Sequence, residues 1–130
     1  MDIEVTYSKL KMAVGESTMA NISIVTNGDG AEPGDMPMVD VGVPPGFDAD
    51  LSVLDEMVAN DPMVPRYEVK GDRIVIYLHD LPAKSGPAFS FKLPLSPRYP
   101  MVVTTPSARA WPFYKPEQSS ESLPVVLTVN

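Results

Sequence analysis

The chain has 130 residues with 17 acidic and 10 basic side chains, giving a net charge of −7, and it contains no cysteine. This length predicts one domain. The excess of acidic residues and the absence of any basic run argue against a nucleic acid or an anionic membrane as partner. No apolar stretch approaches the roughly 20 residues that a membrane-spanning helix needs. The absence of cysteine excludes disulfide bonds and thiolate metal sites.

Three strands are predicted before residue 27. Asp2–Tyr7 alternates polar and apolar residues, Lys9–Val14 forms a short second segment, and Thr18–Thr26 places its isoleucines on one face. The segment Asn27–Asp35 is rich in glycine, proline and acidic residues, and it therefore predicts a loop.

The most informative stretch combines a strand with a helix. Alternating valines at 39–43 predict a strand, which Pro44-Pro45-Gly46 ends because proline cannot donate to a sheet. Apolar residues then recur at helical spacing as Leu51, Leu54 and either Met57 or Val58. Asp48 or Asp50 stands where a side chain could bind the first helical amides.

The rest of the chain predicts a hairpin followed by further short strands. Two β-rich runs flank the two-residue turn Gly71-Asp72, whose glycine permits a positive φ. The predicted segments are Arg66–Lys70 and Arg73–Leu78 for the hairpin, then Ala88–Leu93, Ser107–Phe113 and Leu123–Val129.

These elements predict the fold class. The chain has 15 prolines, more than twice the background of roughly 5%, which favours short strands joined by rigid loops over a helical bundle. We predict a mainly β protein, a two-sheet antiparallel β-sandwich of about eight or nine strands with one short inserted α-helix. It forms a single domain over residues 1–130.

The order of the motifs resembles one known family. MVDVGVPPGF, a short helix, RYEVKGDRIVIYL, FSFKL and ARAWPFYKPE follow one another as in the C-terminal receptor-binding domain of alpha-2-macroglobulin and related thioester proteins, here a bacterial member. The resemblance covers roughly Val5 to Glu117. It implies a non-catalytic domain without a cofactor, at the C-terminal end of a large protease-trapping inhibitor that is extracellular or in the periplasm or cell envelope.

The resemblance also implies partners. They are the thioester domain and adjacent sandwich domains of the same parent chain, with target proteases reached only through the parent. In the family this domain packs against the thioester domain and shields the reactive bond from water. The thioester itself requires a cysteine, so this chain does not carry it.

Three aromatic residues are the candidate interface. The isoleucines of strand 73–79 suit the core, so Tyr77 faces outward, and Ala108 and Ala110 likewise direct Trp111 and Phe113 outward. An exposed aromatic group of this kind marks an interface, and by resemblance it shields the thioester. Two alternatives remain open. A second sheet of the domain could cover the rings, or the chain could be a free-standing β-sandwich module that binds carbohydrate or a cell-surface protein.

Catalytic and metal sites find little support in the sequence. Asp29, Glu32 and Asp35 offer oxygen ligands suited to calcium, but their spacing matches no known calcium loop, and solvated turn carboxylates explain them better. His79 is the only histidine, and no Gly-x-Ser-x-Gly motif accompanies it, so we expect a structural or surface role. We therefore expect neither a catalytic residue nor a bound metal.

The helix generates a prediction about receptor binding. In the animal proteins two lysines on this helix bind acidic receptor modules, and the matching positions here are Ser52 and Glu56. Residues 47–65 contain no lysine or arginine, so their carboxylates should repel an acidic partner. We expect no binding of the domain to lipoprotein-receptor modules in surface plasmon resonance. Saturable binding would contradict this prediction.

Overall fold

The computed structural model describes residues 2–26, 37–79, 86–112 and 119–130, which form twelve strands and one helix. The elements in chain order are β1 Asp2–Tyr7, β2 Lys11–Met12, β3 Thr18–Thr26, β4 Pro37–Gly42, β5 Phe47–Ala49, α1 Ser52–Asn60, β6 Arg66–Lys70, β7 Arg73–Tyr77, β8 Gly86–Pro97, β9 Met101–Thr104, β10 Arg109–Pro112, β11 Ser120–Glu121 and β12 Val126–Val129.

The strands form three hydrogen-bonded sheets. Their orders are β1-β3-β8-β5, β11-β10-β4-β7-β6 and β2-β12-β9. All pairs among these strands are antiparallel except β2 with β12, which is parallel. The predicted mainly β sandwich with one short helix is confirmed, and the strand number exceeds eight or nine because segments as short as two residues pair separately.

The pair β3 and β8 forms the longest ladder of the fold. Their pairing runs from Thr18 opposite Leu95 to Thr26 opposite Gly86, with one irregularity beside Ile24. Sequence analysis ended the strand of β8 at Leu93, before a proline. The structure continues it through Pro94, because proline lacks only the donor, and its carbonyl still accepts the N–H of Asp50 at 3.0 Å.

All three sheets and the helix contribute to a single hydrophobic core. Ile22 of β3, Ile76 of β7 and Leu127 of β12 are each 0% exposed and belong to the same cluster. Leu54 of α1 joins them at 1% exposure. The three-stranded sheet is therefore an integral part of the domain.

The helix turns the predicted apolar side towards this core. Leu51 and Met57 are partly buried beside Leu54, whereas Val58 is 37% exposed, so the structure selects Met57 over Val58. The helix ends where the N–H of Asp61 donates to the carbonyl of Met57 at 2.8 Å. Within the described residues, no helix has both the length and the apolarity needed to cross a membrane.

Two glycine-containing turns lie at one end of the five-stranded sheet. The predicted hairpin of β6 and β7 is present, and Gly71 in its turn has φ 64°. Gly46 follows the two prolines after β4 with φ 81°, and an added Cβ there would lie 2.7 Å from the sulfur of Met101. Both positions therefore favour glycine, because its backbone adopts a positive φ without strain.

Two neighbours on β12 provide a test of the shared core. We expect Leu127→Ala to lower the free energy of unfolding by about 2–5 kcal/mol, because it removes a fully buried side chain and leaves a cavity. The matched control is Val126→Ala, one residue away and 53% exposed, which should change stability by less than about 0.5 kcal/mol. Denaturant unfolding of both variants measures the difference. Equal, small losses would show that β12 does not belong to the core.

Candidate functional site

The outer face of the five-stranded sheet is set by the residues that its strands bury. Ile76 of β7 lies opposite Val39 of β4, and Val39 lies opposite Ala110 of β10. All three are 0% exposed. Because successive residues of a strand point to opposite faces, the residues on either side of these three face away from the core.

Three of these outward residues are Tyr77 after Ile76, Met38 before Val39 and Trp111 after Ala110, and we call them the aromatic row. Tyr77 lies opposite Met38, and Met38 lies opposite Trp111. Neighbouring strands are separated by about 4.8 Å, so the three side chains are neighbours on one surface. Each is half-buried.

Arginine side chains stack on both rings of the aromatic row. The Cζ of Arg66, which lies opposite Tyr77, is 4.2 Å from the centroid of the Tyr77 ring. The Cζ of Arg109 is 5.2 Å from the Trp111 ring centroid. Both distances are within the range of about 6 Å for cation–π attraction. The stacked guanidinium groups account for part of the burial of the rings.

A second row of charged residues runs beside the aromatic row. Arg73 Nε donates to Asp40 Oδ1 at 2.9 Å, and its Nη2 donates to the carbonyl of Ser107 at 3.1 Å. Val75 lies opposite Asp40 on the same outer face and is only 7% exposed. A Cβ on Gly42 would lie 2.5 Å from Arg73 Nη1, so the glycine leaves room for this guanidinium.

One polar atom of this surface has no acceptor among the described residues. Arg109 Nε is buried and has no hydrogen-bond partner there, and Glu121 Oε1 is 3.6 Å away, beyond hydrogen-bond distance. A buried donor without an acceptor costs free energy, so this N–H is a place where a docked surface could add a bond.

The edge strand β6 is charged along its outward side. Glu68 Oε1 lies 3.5 Å from Arg66 Nη1, and Glu68 Oε2 lies 3.7 Å from Lys70 Nζ. All three side chains are more than one third exposed, so each pair stabilises the fold only weakly.

The structure locates two of the three predicted interface residues. Tyr77 and Trp111 lie on the predicted outer face and are joined there by Met38. Phe113 lies outside the described residues. Sequence analysis did not include Met38 or Arg66 in the site, although the inward valines of β4 already implied that Met38 faces outward.

The helix residues singled out by sequence are both exposed. Asp50, two residues before Ser52, accepts bonds from the Ser52 hydroxyl at 2.6 Å and the Ser52 N–H at 3.0 Å. These bonds lower the pKa of Asp50, with the hydroxyl the larger cause. The predicted role of Asp50 at the first helical amide is present, whereas Asp48 instead faces Arg98. Glu56 is exposed on α1.

A hydrogen bond links the helix to strand β6. The hydroxyl of Tyr67 on β6 donates to Asp55 Oδ1 on α1 at 2.6 Å. This hydrogen bond is the main cause that raises the pKa of Tyr67, with burial and the negative charge of Asp55 adding to it.

The residues that the sequence offered for metal binding or catalysis were Asp29, Glu32, Asp35 and His79. In the part of the chain that the structure describes, no group of three or more His, Cys, Asp or Glu residues could hold a metal ion. The loop with Asp29, Glu32 and Asp35 lies outside the described residues. The side chain of His79 is exposed after β7, and its backbone N–H donates to the carbonyl of Met63 at 2.9 Å.

Comparison with known proteins identifies one matching family. Residues 33–123, more than half of the chain, match the A-macroglobulin receptor binding domain. Among solved structures, native alpha-2-macroglobulin from Escherichia coli, spanning domain MG7 to the C-terminus, superimposes with a TM-score of 0.74 at 11% identity. Alpha-2-macroglobulin from Salmonella reacted with methylamine gives 0.68 at 13%, and BcpA, the major pilin subunit of Bacillus cereus, gives 0.58 at 13%.

The extent of these matches differs between the chains. The superpositions with the Escherichia coli and Salmonella proteins each cover 100% of this chain, but only 24% and 9% of those chains. The superposition with BcpA covers 98% of this chain and 40% of BcpA. At these identities the structures show a shared fold alone. A comparison with curated protein sequences finds no match.

The bond between Tyr67 and Asp55 provides a test of how the helix is held. We expect Asp55→Ala to lower the pKa of Tyr67 towards the ordinary value of 10.0, because the acceptor and its charge are removed. The native pKa lies above that of the unfolded chain, so the contribution to stability is complete below pH 10.0 and is lost as pH rises through the native value.

NMR titration of the Tyr67 ring measures this shift. The matched control is Glu56→Ala, which removes an equal charge from the next helical residue and should leave the pKa of Tyr67 near its native value. An unchanged pKa in Asp55→Ala would contradict the bond.

Proposed function

The chain belongs to the A-macroglobulin receptor binding domain family, and on that premise we propose that it is a non-catalytic interaction domain whose aromatic row covers a thioester domain. The parent would be an alpha-2-macroglobulin-like protease-trapping inhibitor, extracellular or in the periplasm or cell envelope. Adjacent sandwich domains of the same parent chain would be further partners, and target proteases would be met only through the parent.

The observation that carries this proposal is the aromatic row itself. Tyr77, Met38 and Trp111 are aligned across three strands on the face opposite the core. A monomer gains little from aligning three large apolar side chains on its surface, whereas Tyr, Trp and Met are enriched at protein interfaces. This arrangement supports docking of a second protein surface against the face.

The contacts of three arginines indicate that the side chains on the outer face of the sheet are ordered before a partner docks. Arg66 and Arg109 stack on the rings, and Arg73 is held by Asp40 and Ser107. Side chains that are already ordered lose less entropy on docking. The unsatisfied N–H of Arg109 would gain an acceptor from the docked surface.

The proposed action is exclusion of water. A thioester is hydrolysed when water reaches its carbonyl carbon, and apolar side chains packed over the bond prevent that approach. The domain supplies no nucleophile to this process and needs no cofactor. It acts by contact alone, and its removal from the thioester domain would expose the bond.

The test is the rate of thioester loss in the full-length parent protein. We expect Trp111→Ala or Tyr77→Ala to speed reaction with water or methylamine on the order of ten-fold, equivalent to about 1.4 kcal/mol of barrier, because each variant opens a path for the nucleophile. The matched control is Tyr99→Ala, which removes an exposed tyrosine outside the aromatic row. Unfolding midpoints confirm that all variants are folded.

Two outcomes would overturn the proposal. One is an unchanged rate of thioester loss in both ring variants, and the other is a parent chain without a thioester. Glycan-array binding by the isolated domain that is lost in Trp111→Ala would instead favour the free-standing binding module.

A further inference from the structure

A preformed groove lies at the end of the five-stranded sheet, away from the aromatic row. One wall is the turn Pro44–Gly46 between β4 and β5, and the other is the hairpin turn at Gly71 and Asp72. The groove encloses about 300 Å³, the lower limit of the range for small-ligand pockets, which suits one long side chain.

Backbone hydrogen bonds hold the groove open. The N–H of Val43 donates to the carbonyl of Asp72 at 2.7 Å and ties the two turns together. The N–H of Arg98 donates to the carbonyl of Gly46 at 2.9 Å. Both walls are therefore fixed before any partner arrives, and binding needs no rearrangement of the backbone.

The floor of the groove is apolar and incompletely covered. Val69 of β6 lies opposite Ile74 of β7, and directly opposed residues point to the same face of a sheet. Ile74 is 2% exposed in the core, yet Val69 is 48% exposed. A core-facing valine that is half exposed indicates a place that the described side chains do not fill.

The charges at the groove are predominantly acidic. Asp48, Asp72 and Arg98 line it, and Asp72 has no ion pair among the described residues. Arg98 Nε is 3.6 Å from Asp48 Oδ1, with both side chains more than half exposed, so this pair is weak and open to exchange. An incoming anion would meet two carboxylates and one guanidinium that is already paired.

We propose that this groove binds a lysine or arginine side chain presented by a partner protein. The aliphatic stem packs on Val69 and Phe47, and the cationic head reaches Asp72 and Asp48. An apolar floor with carboxylates beside it is complementary to a side chain that carries a charge at the end of a hydrocarbon stem. The site is separate from the aromatic row and does not depend on the function proposed for it.

The test uses a capped tripeptide, acetyl-Gly-Lys-Gly-amide, titrated into the isotope-labelled chain. We expect saturable changes in the amide NMR signals of Gly46, Gly71 and Asp72. The matched tripeptide with norleucine in place of lysine keeps the stem and lacks the ammonium group. It should bind about five-fold more weakly, the upper range for a partly exposed ion pair.

Two variants distinguish a specific contact with the Asp72 carboxylate from a general effect of the negative net charge. Asp72→Asn should weaken binding of the lysine tripeptide about three-fold, as expected for one exposed ion pair. Glu4→Gln removes the same charge from an exposed position on β1, outside the groove, and should leave binding unchanged. Stronger binding of a glutamate tripeptide, equal binding of the norleucine tripeptide, or absence of shifts at the groove amides would each overturn the proposal.

Discussion

Burial of one row of small and branched side chains determines which residues lie on the outer face of the five-stranded sheet. Ile76, Val39 and Ala110 are completely buried in register across β7, β4 and β10. A slip of one residue in any of these strands would expose that strand's core residue and bury its outward one. The free energy of burying the inner row therefore also aligns Tyr77 and Trp111 on the outside.

The outer face is organised by its own residues as well as by the core beneath it. Arg73 bonds Asp40 and a backbone carbonyl, and Asp40 lies opposite Val75, which is nearly buried although it faces away from the core. The sheet thus carries a thin polar layer beside its apolar row. A partner surface would meet side chains whose positions are already set, which reduces the entropy lost on association.

Local periodicity predicted the helix and most of the longer strands, but it did not predict the short strands β5, β9 and β11. Contacts between distant segments could not be predicted from it. Alternation identified the outward parity of Tyr77 and Trp111, and helical spacing identified α1. The alignment of Met38 with both rings depends on which strands are neighbours, and no local pattern contains that information. The groove beside Val69 could not be predicted either. Alternation indicates that Val69 faces the core side of the sheet, but it does not indicate whether other residues cover that side chain. The predicted end of β8 at Leu93 was wrong because Pro94, although it lacks an N–H, still accepts a backbone hydrogen bond through its carbonyl.

The alternating charges of β6 have a consequence for the behaviour of the isolated domain. β6 is the outermost strand of its sheet, and Arg66, Glu68 and Lys70 project from it. An unpaired strand edge can template the addition of strands from other molecules, and charged side chains along that edge oppose such stacking because they would have to be desolvated. The pairs around Glu68 contribute little to folding, yet charges of this kind on an edge strand disfavour aggregation of the isolated domain at high protein concentration.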